Sequence, residues 1–207
     1  MTTESESVFP EKLPPGNSWE SAEDDEKAKA AQWGRFEAPP RHKEALKKLT
    51  LRPTTARTAC AKATGTVVLY GDCGCGKTLA AVEWLREEVM RTSNNAPSAR
   101  FISAPALARL DRYDDKVINP LLRVRRLVID DLGTEYNDAK GAFTSLFDEV
   151  INARHAARLP TVITTNLGYE AFSERYGERV IDRITESGAF TACGSQSLRT
   201  AEPKGRG

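Results

Sequence analysis

The chain has 207 residues, 40% of them hydrophobic and 29% charged, with a formal net charge of +1. That length suits one domain with flanks, and the composition is ordinary for a soluble globular protein. No apolar run approaches the ~20 residues of a membrane span. The start, Thr2-Thr3-Glu4-Ser5-Glu6, has neither the basic residues nor the apolar stretch of a secretory signal, so the expected compartment is the cytoplasm. Of Cys60, Cys73, Cys75 and Cys193, two fall inside a glycine loop, and His42 and His155 are the only histidines. Neither a disulfide framework nor a zinc site is expected from that spacing.

Residues 1–40 read as a largely disordered acidic arm. Glu4, Glu6, Glu11, Glu20, Glu23, Asp24, Asp25, Glu26 and Glu37 stand there against Lys12, Lys27, Lys29 and Arg35. One short helix is expected near residues 23–33. Trp19, Trp33 and Phe36 are unusual in such a segment; they either dock on a partner or fold back onto their own domain. Pro39-Pro40 breaks the chain, and residues 41–64 read as a basic helical linker with Arg41, Lys43, Lys47, Lys48, Arg52, Arg57 and Lys62 against Glu44. The helix over residues 41–51 faces either nucleic acid or solvent.

Residues 65–198 read as the folded core. Thr66-Val67-Val68-Leu69-Tyr70 suits a buried parallel strand, and Leu79, Val82, Leu85 and Val89 recur at helical spacing after it. Arg100-Phe101-Ile102-Ser103 is a second strand, followed by a helix start over 106–112 and a polar loop over 111–116. Arg126-Leu127-Val128-Ile129 is a third strand. Ala142, Phe143, Leu146, Phe147, Val150 and Ile151 mark an amphipathic helix that Pro160 ends. Thr161-Val162-Ile163-Thr164 is a fourth strand, residues 170–176 and 178–186 are helices split by Gly177, and Ala189-Phe190-Thr191-Ala192 is a fifth strand. Residues 199–207 read as a disordered tail. Strands alternating with helices specify an α/β fold with a parallel sheet covered on both faces.

Between the first strand and its helix lies Gly71-Asp72-Cys73-Gly74-Cys75-Gly76-Lys77-Thr78, which fills every fixed position of the phosphate-binding pattern G-x-x-x-x-G-K-[ST]. Glycines let successive backbone N–H groups turn inward toward an anion. Lys77 adds charge toward the β- and γ-phosphates, and the Thr78 hydroxyl is placed for Mg²⁺. The helix that follows favours phosphate at its N-terminus. The third strand ends in Asp130 and Asp131, at the sheet edge where parallel-sheet ligands bind. Asp130 is placed to hold Mg²⁺, and Asp131 to orient or deprotonate a water attacking the γ-phosphate. Asn166, after Thr164-Thr165, closes the fourth strand at the same edge and is placed to bind that water or phosphate. Arg179 and Arg183 lie four apart on one helix face. They suit either insertion into a neighbour's phosphate site or surface pairing with Glu178, Asp182 or Glu186.

These stretches in this order resemble the AAA+ ATPases, with the nearest likeness to the DnaC-type helicase loaders and the related IstB-type transposition ATPases. The phosphate loop is common to many nucleotidases. More specific are Leu127-Val128-Ile129-Asp130-Asp131-Leu132-Gly133, Val162-Ile163-Thr164-Thr165-Asn166-Leu167 and Tyr176-Gly177-Glu178-Arg179-Val180-Ile181-Asp182-Arg183-Ile184. The resemblance implies a P-loop NTPase of AAA+ type with a five-stranded sheet in the order 5-1-4-3-2. It implies Walker A and B roles for the loop and the Asp pair, and a sensor role for Asn166. Arg183 becomes the finger that completes a neighbour's site, with Arg179 assisting. Too few residues follow Arg183 for a full helical lid, so an absent or vestigial lid is expected. Asp131 also departs from the family's usual Glu.

The implied function is a Mg²⁺-dependent ATPase, converting ATP and water to ADP and phosphate. The leading reading is a DNA replication protein that loads or remodels a replicative ring helicase on single-stranded DNA, acting as a nucleotide-dependent homo-oligomer. Its helicase contact would fall on the acidic arm, with Arg123, Arg125 and Arg126 as candidate DNA contacts. The alternatives are a transposition helper that binds duplex DNA and recruits a transposase, and a nucleotide-regulated adaptor with little hydrolysis.

Overall fold

A computed structural model describes residues 26–31, 33, 36–48, 53–92, 98–136 and 141–194. Trp19, most of the acidic arm, residues 49–52 and the tail over 199–207 lie outside them. Five parallel strands form one sheet: β1 (Thr66–Tyr70), β2 (Ala99–Ser103), β3 (Arg126–Leu132), β4 (Thr161–Thr165) and β5 (Ala189–Ala192). They lie side by side in the order β2-β3-β4-β1-β5, which is the order 5-1-4-3-2 read from the other edge.

The apolar runs of the central strands are continuous because both faces are buried. Alternate residues serve two separate cores. Val68, Leu127, Ile129 and Ile163 point to one, which is filled from α5 (Asp115–Arg123), α6 (Ala142–Ala156), α7 (Tyr169–Tyr176) and α8 (Glu178–Ser187). Val67, Leu69, Val128 and Val162 point to the other, which is filled from α2 (Thr55–Ala61) and α3 (Lys77–Arg91). α1 (Pro40–Lys48) also packs on α3. The segment read as a linker therefore contributes both its helices to this layer. Trp33 and Phe36 stack at a centroid distance of 5.4 Å and pack against the same core, so these two aromatics fold back on their own domain.

The short helix after β2 is α4 (Ala104–Leu107), earlier and shorter than the helix expected over 106–112. The polar loop expected over 111–116 is present over 111–114, and α5 follows it with Pro120 in its interior. Proline forfeits one backbone bond there. Ile118 and Leu121 are nonetheless buried, and the Asp114 side chain caps the first turn by accepting from the Lys116 N–H.

At the edge opposite the phosphate loop, Arg154 on α6 is fully buried and donates to four oxygens: Thr161 Oγ1, Leu121 O, Val124 O and Pro160 O. Burial pushes its pKa down to about 10, still well above neutrality, so the guanidinium stays charged and ties α5, α6 and β4 together. Arg125 and Arg126, candidate DNA contacts in the sequence, are held near this edge by α3. Arg126 stacks on Trp84 at 4.7 Å and pairs with Glu88 at 3.4 Å, while Arg125 reaches Glu88 at 3.5 Å.

Candidate functional site

Residues 71–78 connect β1 to α3. Gly74 and Gly76 have φ of 94° and 90°, a region where a Cβ is strained, so the two glycines are what allow the loop to curl. Lys77, only 6% exposed, folds into the curl. Its Nζ donates to Gly71 O at 2.7 Å, Asp72 O at 2.9 Å and Asn166 Oδ1 at 3.0 Å. The last contact links the loop to the end of β4 across 89 positions of sequence. Cys75 is buried beside Lys77, with Sγ at 3.6 Å from Nζ, whereas Cys73 is exposed.

Asp130 and Asp131 end β3 in different environments. Asp130 is 4% exposed and accepts from the Thr164 hydroxyl at 2.6 Å. Burial holds its carboxyl above the ordinary aspartate range, and the neighbouring Asp131 charge adds to this; hydrogen bonds from Thr164 and Thr78 and the charge of Arg41 oppose it. Asp131 is exposed and has φ of 55°, uncommon for a residue with a side chain. Here the β3–β4 register shifts between Ile129 and Leu132, and the Asp131 N–H donates to Thr164 Oγ1 at 2.9 Å. The shift turns two consecutive carboxylates to different surroundings, one inward and one toward the cleft.

Thr164 thus binds both aspartates. Thr165 donates to Leu132 O at 2.6 Å and accepts from the Leu167 N–H at 3.0 Å, fixing the strand end that carries Asn166. Sequence reasoning placed Asn166 ahead of Thr165; the visible task of both threonines is to hold the ends of β3 and β4 in place.

Lys77, Thr78, Asp131 and Asn166 line one cleft of about 270 Å³ with Cys73, Gly74, Gly76 and Leu79. Arg41, His42 and Ala45 of α1 form its remaining wall. The basic helix read as facing nucleic acid or solvent therefore turns one face to the phosphate loop. Its Lys43 is engaged elsewhere, donating to Trp33 O at 3.0 Å and lying over the Trp33 ring.

The donor set fits Mg²⁺. Thr78 and Asp130 supply hard oxygens, a hydroxyl lining the cleft and a buried carboxylate at the end of β3. Among the described residues no group of three or more His, Cys, Asp and Glu is arranged to hold a metal. An ion that takes one or two protein oxygens and completes its shell with water and substrate phosphate needs no such cage.

Glu135, just past the Asp pair, escaped the sequence reading. Its buried carboxylate accepts from the Gly133 N–H at 2.7 Å, Arg175 Nη2 at 2.8 Å and the Tyr176 hydroxyl at 2.8 Å. Burial, then the Glu135 contact, pushes the Tyr176 phenol up, so it remains a donor. This knot ties the loop after β3 to the end of α7, directly before the arginine-bearing α8. Glu135→Ala removes the carboxylate that accepts from the Gly133 N–H, the Tyr176 hydroxyl and the Nε and Nη2 of Arg175. It is expected to cost about 3 kcal/mol, the low end for a broken buried pair because Arg175 keeps partial contact with water. Urea unfolding tests this; an unchanged midpoint would refute it.

Arg179 and Arg183 do not line the cleft of their own chain. Val180, Ile181 and Ile184 anchor α8 in the core. On its outer face, Arg179 Nε lies 3.6 Å from Asp148 Oδ1, and Arg183 Nε donates to Asn152 Oδ1 at 3.3 Å. Both partners belong to α6 rather than to the acidic residues of α8 itself.

Several solved structures are similar in fold. A DnaC helicase loader aligns with TM-score 0.53 and 22% identity over 80% of this chain and 98% of its own. DnaI aligns with TM-score 0.54 and 18% identity over 84% of this chain and 93% of its own. The replication initiator DnaA bound to AMPPCP and single-stranded DNA aligns with TM-score 0.56 and 15% identity over 71% of this chain. The chain spans about half the length of that initiator, 48%. No curated protein matches the chain in sequence. Residues 50–204 match the family described as IstB-like ATP binding protein. That span covers well over half of the chain and takes in the phosphate loop, both aspartates, Asn166 and the arginine helix, so the chain belongs to the IstB-like ATP-binding protein family.

Proposed function

We propose that this protein hydrolyses ATP and uses the cycle to load or remodel a replicative ring helicase on single-stranded DNA. The observation that carries the ATPase reading is the convergence of Lys77, Thr78, Asp131 and Asn166 on one cleft, with Asp130 buried beside Asp131 at the end of the same strand. In this reading Lys77 exchanges its carbonyl contacts for phosphate oxygens. Thr78 and Asp130 hold Mg²⁺, which when bound neutralises phosphate charge. Asn166 orients a water in line with the terminal phosphorus, and exposed Asp131 takes its proton as the bond to the bridging oxygen breaks. Arg183, and beside it Arg179, complete this site from a second copy of the chain.

The helicase reading is supported by the near-complete overlap with the DnaC helicase loader, 98% of that chain. The acidic arm is the proposed contact for the helicase. The test is a pull-down with the host replicative helicase, with ATP and with ADP, alongside turnover measured with and without single-stranded DNA. A nucleotide-dependent complex and DNA-altered turnover are expected, with DNA binding that weakens steeply as salt rises because it is carried by phosphate contacts. Absence of both the complex and the DNA effect would overturn it.

A second reading, a transposition helper that assembles on duplex DNA and recruits a transposase, is favoured by the family match itself. Duplex-stimulated assembly without a helicase complex would select it. In either case the proposed setting is the cytoplasm, and among the described residues no helix is long and apolar enough to cross a membrane.

A further inference from the structure

We infer that Arg41 contacts the terminal phosphate of ATP from within the same subunit, entering from the N-terminal helix α1. The inference rests on the ATP reading of the cleft and adds to it a residue outside the phosphate loop, the aspartates, Asn166 and the arginine helix.

Arg41 and Ala45 lie four apart, on one face of α1, and both line the cleft. The helix is seated by Leu46, which is buried, and by packing on α3, the helix that carries Lys77 and Thr78. Arg41 is exposed, and among the described residues it makes no hydrogen bond or ion pair. The other cations of α1 whose side chains are described differ in this respect: Lys43 holds Trp33, and Lys47 pairs with Glu44 at 2.9 Å. A long, uncommitted guanidinium at the wall of a phosphate cleft is well suited to a planar, two-pronged phosphate contact.

Its place along the cleft follows from charge. Arg41 lines the same cleft as Thr78, Asp131 and Asn166. That end of the cleft, with Asp131 and Asn166, is where the terminal phosphate would lie. Even with Mg²⁺ held by Thr78 and Asp130, Lys77 and the two aspartates leave this end net negative once a terminal phosphate enters. Arg41 is the lining cation that balances it. The contact would let the N-terminal side of the domain distinguish ATP from ADP.

Calorimetric titration of the full chain tests this with Mg-ATPγS and with Mg-ADP, for the unaltered protein, Arg41→Ala, Arg41→Lys and Lys47→Ala. Arg41→Ala is expected to weaken ATPγS about tenfold, the lower end for a charge-assisted bond at an exposed group, and to leave ADP unchanged. Arg41→Lys should recover part of the loss, and Lys47→Ala, on the same helix, should bind both nucleotides as the unaltered chain does. Unchanged ATPγS affinity in Arg41→Ala would overturn the proposal while leaving the ATP reading intact. Equal losses for both nucleotides would overturn it too, and so would an equal loss in Lys47→Ala, which would mark a general effect of charge. If the unaltered chain bound neither nucleotide, the ATP reading would fall and this proposal with it.

Discussion

Replacing Lys77 by alanine is expected to abolish measurable binding of Mg-ATP while leaving the domain folded. Lys77 is the first residue of α3, where alanine is a good helix former, so the backbone loses nothing. Its Nζ contacts are two loop carbonyls, Cys75 Sγ and Asn166 Oδ1, and the group itself lines the cleft, where water can take its place once the ammonium is gone. With nucleotide bound, the same group makes charge-assisted hydrogen bonds to phosphate, each worth roughly 1.5–3 kcal/mol. Losing two of them weakens binding by about 10² to 10⁴-fold. Thermal unfolding reads this without any assay of turnover. Mg-ATP at about a hundred times its dissociation constant adds ~2.7 kcal/mol, a rise of some 5–10 °C for a domain of this size. The unaltered chain should show that rise and Lys77→Ala should not, although their midpoints without nucleotide agree. An equal rise in both would remove Lys77 from the phosphate site.

How legible the site was in the sequence depends on how local its determinants are. The phosphate loop, the Asp pair and Asn166 each sit where a strand ends, and a parallel sheet brings strand ends to one edge whatever the loops do. The strand order matched because these stretches carry the family's pattern, and the continuous apolar runs marked strands buried on both faces. What could not be read depends on pairings distant in sequence. Glu135 and Arg175 lie 40 positions apart, and nothing near either announces the other. Arg154, in the last turn of α6, has the look of a cation complementing a helix C-terminus, but it is fully buried and clamps the carbonyls of two other segments. Pro120 hid α5, because a proline in a short polar-flanked stretch argues against a helix until Ile118 and Leu121 are seen to be buried. Arg41 belongs to a run of lysines and arginines whose composition suits DNA, solvent or a nucleotide equally well. Only the packing of α1 on α3 separates these.

Arg183→Ala is expected to leave ATP binding and fold intact and to lower hydrolysis in the assembled protein by about 10³-fold or more. Under the proposed role the side chain leaves its own chain's contacts for another subunit. α8 is fixed by Val180, Ile181 and Ile184 beneath it, so the helix does not need Arg183 for its position. Among the described residues the Arg183 side chain makes one hydrogen bond, to Asn152 at 3.3 Å, and the neighbouring Arg179 is 66% exposed with its ion pair at 3.6 Å. Contacts of this kind contribute about 0–1 kcal/mol, so exchanging them for a neighbour's phosphate costs little. Since neither arginine lines its own cleft, a catalytic role requires a second subunit, and that makes mixing the decisive experiment. Lys77→Ala retains Arg183 but cannot hold ATP, whereas Arg183→Ala holds ATP but donates no finger. Each alone should be inactive. Combined under assembling conditions, they should recover turnover at junctions where a Lys77→Ala subunit presents Arg183 to the intact cleft of an Arg183→Ala subunit. No recovery at any mixing ratio, or normal hydrolysis by Arg183→Ala alone, would mean that the arginine acts only as a surface group of its own chain.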